Sequence, residues 1–274
     1  MNRRITLQDV TPFFPRRKKD THKGSYGHVL LVGGSADKPG SILMAGRSAL
    51  RSGAGLVTVA LPMKAFQRVD KNFLELMYAP FSSLRKILEG KNAVGVGPGM
   101  GTGSGAVSVL NQLLKTSQDL VIDADALNIL SARFRLMKTL TIRRGASVLT
   151  PHPLEMARLL GTSSSKVQAE RIGVARQFAT LHRVILVLKG ARTVVAWPDG
   201  TTWVNATANP VLATAGMGDV LTGLIASLMA QGIEARWAAV CGVFVHGAAA
   251  EALALRMGTL GRPIDRGLIA TDVI

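Results

Sequence analysis

Short apolar runs recur along the chain, each closed by glycine, proline or an acid: HVLLVGG at 28–34, LVTVALP at 56–62, AVGVGPG at 93–99, LVIDADA at 120–126, ASVLTPHP at 146–153 and VILVLKG at 184–190. None alternates strictly between apolar and polar positions, as a strand with one wet face would. Continuous β-rich runs mark strands buried on both faces. Between them lie stretches with helical spacing, at 41–53 and 164–182. Strands alternating with helices predict βαβ units, and so a parallel sheet covered on both sides. The segment TVVAWPDGTTWVN at 193–205 breaks this rhythm, because two strand-like runs flank Pro198-Asp199-Gly200 and predict an antiparallel hairpin. Helices are expected from there to the end, the first burying Val220, Leu221, Leu224, Ile225 and Leu228. No repeat, low-complexity tract or linker interrupts the pattern, and 1–274 reads as one domain.

Composition narrows the classes. Hydrophobic residues make up 47% of the 274 positions and support a large core, while aromatics at 5% indicate aliphatic packing. A lone cysteine, Cys241, forms no internal disulfide and points to a reducing cytoplasm. Its apolar neighbours predict a buried, inert thiol. The net charge of +16 is partly gathered in PRRKKDTHK at 15–23 and otherwise scattered without interleaved aromatics. That footprint argues against nucleic-acid binding, while a diffuse positive field suits small polyanions such as nucleotides. The first residues lack the apolar core of a signal peptide. The longest apolar stretch, WAAVCGVFVHGAAAEALAL, contains His246 and Glu251 and reads as a core helix, so no membrane association is expected.

In parallel sheets ligands bind beyond the carboxyl ends of the strands. The unusual residues fall there: Gly33-Gly34, the glycines from 97 to 103, Asp123, Asp125, His152, Glu155 and Lys189-Gly190. Asp219 follows Gly216-Met217-Gly218 at the mouth of the predicted helix. One reading makes it a helix cap. The other makes the turn an anion hole of backbone amides, with Asp219 taking a proton from an attacking hydroxyl. The loop GPGMGTGSGA at 97–106 satisfies a relaxed dinucleotide fingerprint, which keeps a nicotinamide-dinucleotide dehydrogenase open as an alternative to a wider loop around a bulky ligand. Acids at strand ends suit Mg²⁺, and no second His or Cys sits at zinc spacing. Lys189 and Thr193 close an apolar strand where a phosphate can be met, and the Walker P-loop is absent.

Together these segments resemble the ribokinase-like superfamily, and more closely the ADP-dependent NAD(P)H-hydrate (NAD(P)HX) dehydratases. The resemblance runs in order through KGSYGHVLLVGG, GPGMG, DADALN, TPHPLE, KGART, NATANPVLATAGMGDVLTG, VFVHGAAAE and LIATDVI, nearly the whole chain. It implies a three-layer α/β/α sandwich with a mostly parallel central sheet and a late antiparallel hairpin. It implies an enzyme that uses ADP (or ATP) to phosphorylate the ring hydroxyl of the S epimer of hydrated NADH or NADPH. Phosphate then leaves, and NAD(P)H, AMP and phosphate are released.

By the same resemblance Asp219 is the catalytic base, with Gly216 and Gly218 in the anion hole. Lys189, Gly190, Ala191, Arg192, Thr193 and Gly218 are the expected nucleotide contacts. Ala45, Gly99, Gly101, His152 and Asp219 are the expected contacts to the hydrated dinucleotide, and Glu155 helps hold Mg²⁺ through water. An ATP-dependent hydroxyl kinase of the vitamin-kinase type shares Asp219 and the anion hole and is the main alternative. The family often carries an epimerase domain that has no counterpart in this sequence, so a separate epimerase is the implied partner. The apolar helical stretch 237–255 suits a homo-oligomeric contact as well as core packing. Departures from the family pattern are Ala208, Val211 and Leu212 in place of Gly, Gly and Met, and Met217 in place of Ser or Thr.

Overall fold

In the computed structural model, which describes residues 2–69, 73–207, 210–258 and 262–274, Val29 and Leu31 enter one hydrophobic core while Leu30 and Val32 enter another. Successive side chains of a strand point to opposite faces, so a strand between two cores is apolar throughout. That is why the predicted runs lack alternation. Among the described residues ten strands form one sheet: β1 (Asn2–Arg4), β2 (His28–Val32), β3 (Leu56–Leu61), β4 (Met77–Pro80), β5 (Ala93–Val96), β6 (Asp119–Ile122), β7 (Ser147–Leu149), β8 (Ile185–Leu188), β9 (Val194–Ala196) and β10 (Thr202–Val204). Their order is β1-β10-β9-β8-β7-β6-β5-β2-β3-β4. Neighbours run parallel except β8 with β9 and β9 with β10.

The hairpin closes as expected, with the Trp197 amide donating to Thr201 O at 2.9 Å and the Gly200 amide to Trp197 O at 3.0 Å. The sequence pattern missed both edges of the sheet. β1 is polar and exposed, and β4 ends in proline. Edge strands are kept short and interrupted, which removes the apolar signal a central strand carries. The predicted helix at 164–182 is two helices, Ser164–Ala169 and Arg171–His182, parted at Glu170.

Helices Pro39–Arg51, Met217–Ala230 and Ala235–Met257 cover one face of the sheet. Ser104–Leu114, Ala124–Ser131, Pro153–Leu160 and Arg171–His182 cover the other, giving the expected three layers. Ala235–Met257 is long and apolar enough to cross a membrane by length and composition alone; half of its most apolar window is buried, and the helix packs on Met217–Ala230, β7 and β8. Cys241 on this helix has no exposed surface, and burial pushes its thiol up to about 12, so it is inert as predicted.

The chain runs outward from β2 through β3 to β4, then crosses to β5 on the other side of β2 and runs outward again. This reversal is where open α/β sheets form ligand crevices. Hydrogen bonds knit the loops along that edge. The Gly34 amide donates to Pro98 O at 2.8 Å, Asp123 to Val96 O at 3.0 Å, Thr150 to Ile122 O at 3.1 Å and Lys189 to Pro151 O at 2.9 Å.

Candidate active site

Asp123 lies between β6 and helix Ala124–Ser131 and is 1% exposed. Its Oδ1 accepts from Lys189 Nζ at 2.8 Å and its Oδ2 from the Thr222 hydroxyl at 2.9 Å. Lys189 Nζ also stands 3.9 Å from Glu155 Oε2. Burial alone would drive the ammonium toward its neutral form. Asp123 foremost, then Glu155 and Asp219, outweigh it and move the Lys189 pKa upward, so the charge is kept. A buried charge needs such partners.

His152 caps helix Pro153–Leu160. Its Nδ1 accepts from the Leu154 and Glu155 amides, both at 3.2 Å, and its own amide donates to Glu155 Oε2 at 2.8 Å. Two donors at Nδ1 put the imidazole proton on Nε2. Burial first, then Lys189, lowers the His152 pKa, so the ring is neutral. Burial raises the Glu155 carboxyl, against the pull of Lys189.

Helix Met217–Ala230 begins at Gly216, whose φ of +88° is a left-handed conformation that favours glycine. The first-turn amides of a helix have no intrahelical partners, and the dipole adds positive potential there. At Gly218 the turn closes on the charges: a Cβ there would lie 3.2 Å from Lys189 Nζ and 3.6 Å from Asp123 Oδ2. The next residue is Asp219. Burial first, then the charges of Asp123 and Asp125, push its carboxyl up to about 7, against a hydrogen bond from Ser41 and the charge of Lys189. A carboxyl at about 7 beside a fixed ammonium, at the positive end of a helix, can accept a proton and stabilise an anion in one place.

Gly218, Asp219, Lys189, Gly190, Ala191, Thr193, His152 and Glu155 line one cavity of about 750 Å³. Arg192 lines an adjoining hollow of about 540 Å³ with Gln168 and Arg171. Gly99 and Gly101 do not line that cavity: a Cβ on Gly99 would lie 3.0 Å from Ser41 Cβ, and the Gly101 amide donates to Asp125 Oδ2 at 2.8 Å. Ala45 has no exposed surface, and a side chain at Gly223 would strike its carbonyl, which puts it in the packing between two helices.

Several residues at the site carried no assignable signal in the sequence. Arg171 is the clearest. Its Nη2 donates to Leu188 O, Lys189 O and Arg192 O at 2.8, 3.2 and 3.3 Å, and its Nη1 to Gln168 Oε1 at 2.6 Å, clamping the loop that carries Lys189 to Thr193. Ser41, Thr222, Asn205 and His246 are of the same kind.

Val211 and Met217 are buried in a small apolar cluster with Val220, Ala250, Ala254 and Leu268, and Leu212 packs against it. These three departures from the family pattern meet in that one cluster; Ala208 lies outside the described residues. No group of three or more His, Cys, Asp or Glu is arranged for a metal among the described residues. Both Asp123 oxygens are engaged, and Glu155 Oε2 is held by the His152 amide. That donor set fits a Mg²⁺ carried by phosphate oxygens and water, with Glu155 as an outer partner.

A mostly parallel sheet of this order, with helices on both faces and a late antiparallel hairpin, defines a ribokinase-like protein. The chain belongs to the NAD(P)H-hydrate dehydratase family, whose model matches residues 29–266. It is 41% identical over 280 aligned positions to the ADP-dependent (S)-NAD(P)H-hydrate dehydratase of Neisseria meningitidis serogroup B, covering 99% of this chain and 92% of that one. Over 274 positions it is 42% identical to the bifunctional NAD(P)H-hydrate repair enzyme Nnr of Moorella thermoacetica, covering 95% of this chain and 50% of that protein. The chain thus spans about half the length of the bifunctional relatives it matches. Its structure is similar to that of the ADP/ATP-dependent NAD(P)H-hydrate dehydratase of Bacillus subtilis co-crystallised with ATP and Mg²⁺, with a TM-score of 0.86, 30% identity, and coverage of 99% and 94%.

Proposed function

We propose that this chain is an ADP-dependent dehydratase that repairs the S epimer of hydrated NADH and NADPH, releasing NAD(P)H, AMP and phosphate. The observation that carries the reading is Asp219, with its carboxyl at about 7, and the charged Lys189 meeting at Gly218 on the wall of a cavity large enough for a nucleotide. Asp219 takes the proton of the ring hydroxyl. The hydroxyl oxygen bonds to the β-phosphorus of ADP as the bridging P–O bond breaks and AMP leaves. Phosphate then departs with that oxygen, a neighbouring ring proton is lost, and the double bond returns.

Lys189 and the first-turn amides stabilise the transferring group, so catalysis rests on positioning and electrostatics. Lys189 through Thr193, with Gly218, hold ADP. Gly99, Gly101 and His152, with Asp219, hold the hydrated dinucleotide, and Ala45 acts from behind through helix packing. Glu155 would help hold Mg²⁺ through water, and the ion would supply charge neutralisation for the diphosphate. The enzyme works in the cytoplasm, as a homo-oligomer, with an epimerase alongside that supplies the S epimer. The double length of the bifunctional relatives supports a second activity close to this one.

Incubation with hydrated NADH, ADP and Mg²⁺ is expected to restore the absorbance of reduced nicotinamide and to form AMP. Recovery with ATP alone would change the cosubstrate. No recovery with either nucleotide, together with phosphorylation of a hydroxymethylpyrimidine, would replace this reading with the vitamin kinase. In the same assay Arg171→Ala frees the carbonyls that Arg171 holds. Charged hydrogen bonds of this kind are worth roughly 1.5–3 kcal/mol, so the KM for ADP should rise about tenfold or more with a smaller change in kcat. An unchanged KM would show that Arg171 does not hold the loop in its working shape.

A further inference from the structure

Two residues that line the cavity, Asn205 and His246, each carry a buried polar atom, Oδ1 and Nε2, with no partner among the described residues. Asn205 is 3% exposed and His246 9%. Buried polar atoms are almost always hydrogen-bonded, so two orphans on one ligand-sized cavity mark groups kept for a ligand. The orientation of Asn205 is set by its surroundings. Its Nδ2 donates to Val243 O at 3.1 Å and to the Thr207 hydroxyl, and a carbonyl accepts only, so Oδ1 is the atom left over. Val243 and His246 are three apart on one helix and share a face. At Gly247 any side chain would strike Thr207, so the Asn205–Thr207 segment lies directly on that face. Burial first, then the charge of Lys189, pushes the His246 imidazole down to about 4 and keeps it neutral.

We propose that Asn205 and His246 read the purine edge of the nucleotide and select adenine over 6-oxopurines. This rests on the nucleotide reading above. Asn205 Oδ1 accepts from the exocyclic amino group, and His246, as its Nε2–H tautomer, donates to the neighbouring ring nitrogen. A 6-oxopurine presents the reverse, an acceptor to Oδ1 and an N–H to the imidazole. Sites built on buried polar groups discriminate strongly, because the wrong partner leaves those groups unpaired.

Calorimetric titration of the full chain with ADP and with IDP tests this. The wild type should favour ADP by roughly 10- to 100-fold. Asn205→Ala and His246→Phe should bring the two affinities within about threefold, while Arg171→Ala should weaken both alike and preserve the ratio. Far-UV circular dichroism checks folding, and His246→Gln serves if His246→Phe fails to fold. Variants that keep the wild-type ratio, or lose both nucleotides in equal measure, overturn the assignment. A wild type that binds neither nucleotide overturns the proposed function itself, and a wild type that binds both equally sinks only the base selection.

Discussion

Asp219→Asn is expected to lower turnover by roughly 10²-fold or more while leaving ADP affinity nearly unchanged and making the fold more stable above neutral pH. The three effects have one cause. The Asp219 carboxyl sits at about 7 in the folded chain against an ordinary 3.8. Below about pH 4 both folded and unfolded chains hold the proton. Between about pH 4 and 7 the unfolded chain releases it and the folded chain keeps it, so stability falls as pH rises. A shift of that size corresponds to about 4 kcal/mol as an upper bound, at 1.36 kcal/mol per pH unit. Asparagine carries no such penalty, so its melting temperature at pH 8 should exceed that of the wild type, and its stability should vary less between pH 4 and 7. The group that makes the site expensive to fold is the one that makes it a base at neutral pH. In the wild type the same position requires that kcat/KM climb as pH rises through about 7. An acid limb near 4 with full activity in Asp219→Asn would remove this carboxyl from the chemistry.

Lys189→Met should cost both nucleotide binding and stability. Lys189 Nζ lies 2.8 Å from Asp123 Oδ1, and Asp123 is 1% exposed with the Thr222 hydroxyl as its other side-chain partner. Removing the ammonium leaves a buried carboxylate uncompensated, a loss of roughly 3–5 kcal/mol. Adding Asp123→Asn removes the orphaned charge, so the double variant should recover most of the stability and none of the nucleotide affinity. Denaturant unfolding and ADP titration of the two single variants and the double variant separate these effects. A double variant no more stable than Lys189→Met would mean that the two side chains are not energetically coupled.

The two predictions mark different limits of what could be read in advance. Asp219 was visible because glycines, an acid and an apolar helical face stand within a few residues of one another, and each has a local physical meaning. Lys189 was visible as a lysine closing an apolar strand, yet its partner was not. Asp123 is 66 positions away and Thr222 is 99 positions from Asp123, and no local pattern links them. Arg171 shows the same limit more sharply, since within a helical segment it looks like any solvated arginine. Only the break at Glu170 and the fold of β8 bring it onto three carbonyls.

Periodicity and turn chemistry are local properties, so the chain alone determined the doubly covered parallel sheet, the hairpin at Pro198-Asp199-Gly200 and the placement of the chemistry at strand ends. The edge strands, the acidity of Asp219, the buried Asp123–Lys189 pair and the unpartnered Asn205 and His246 were decided by tertiary structure. Each depends on burial and on charges or carbonyls brought close from distant positions, and desolvation exists only once the core has closed.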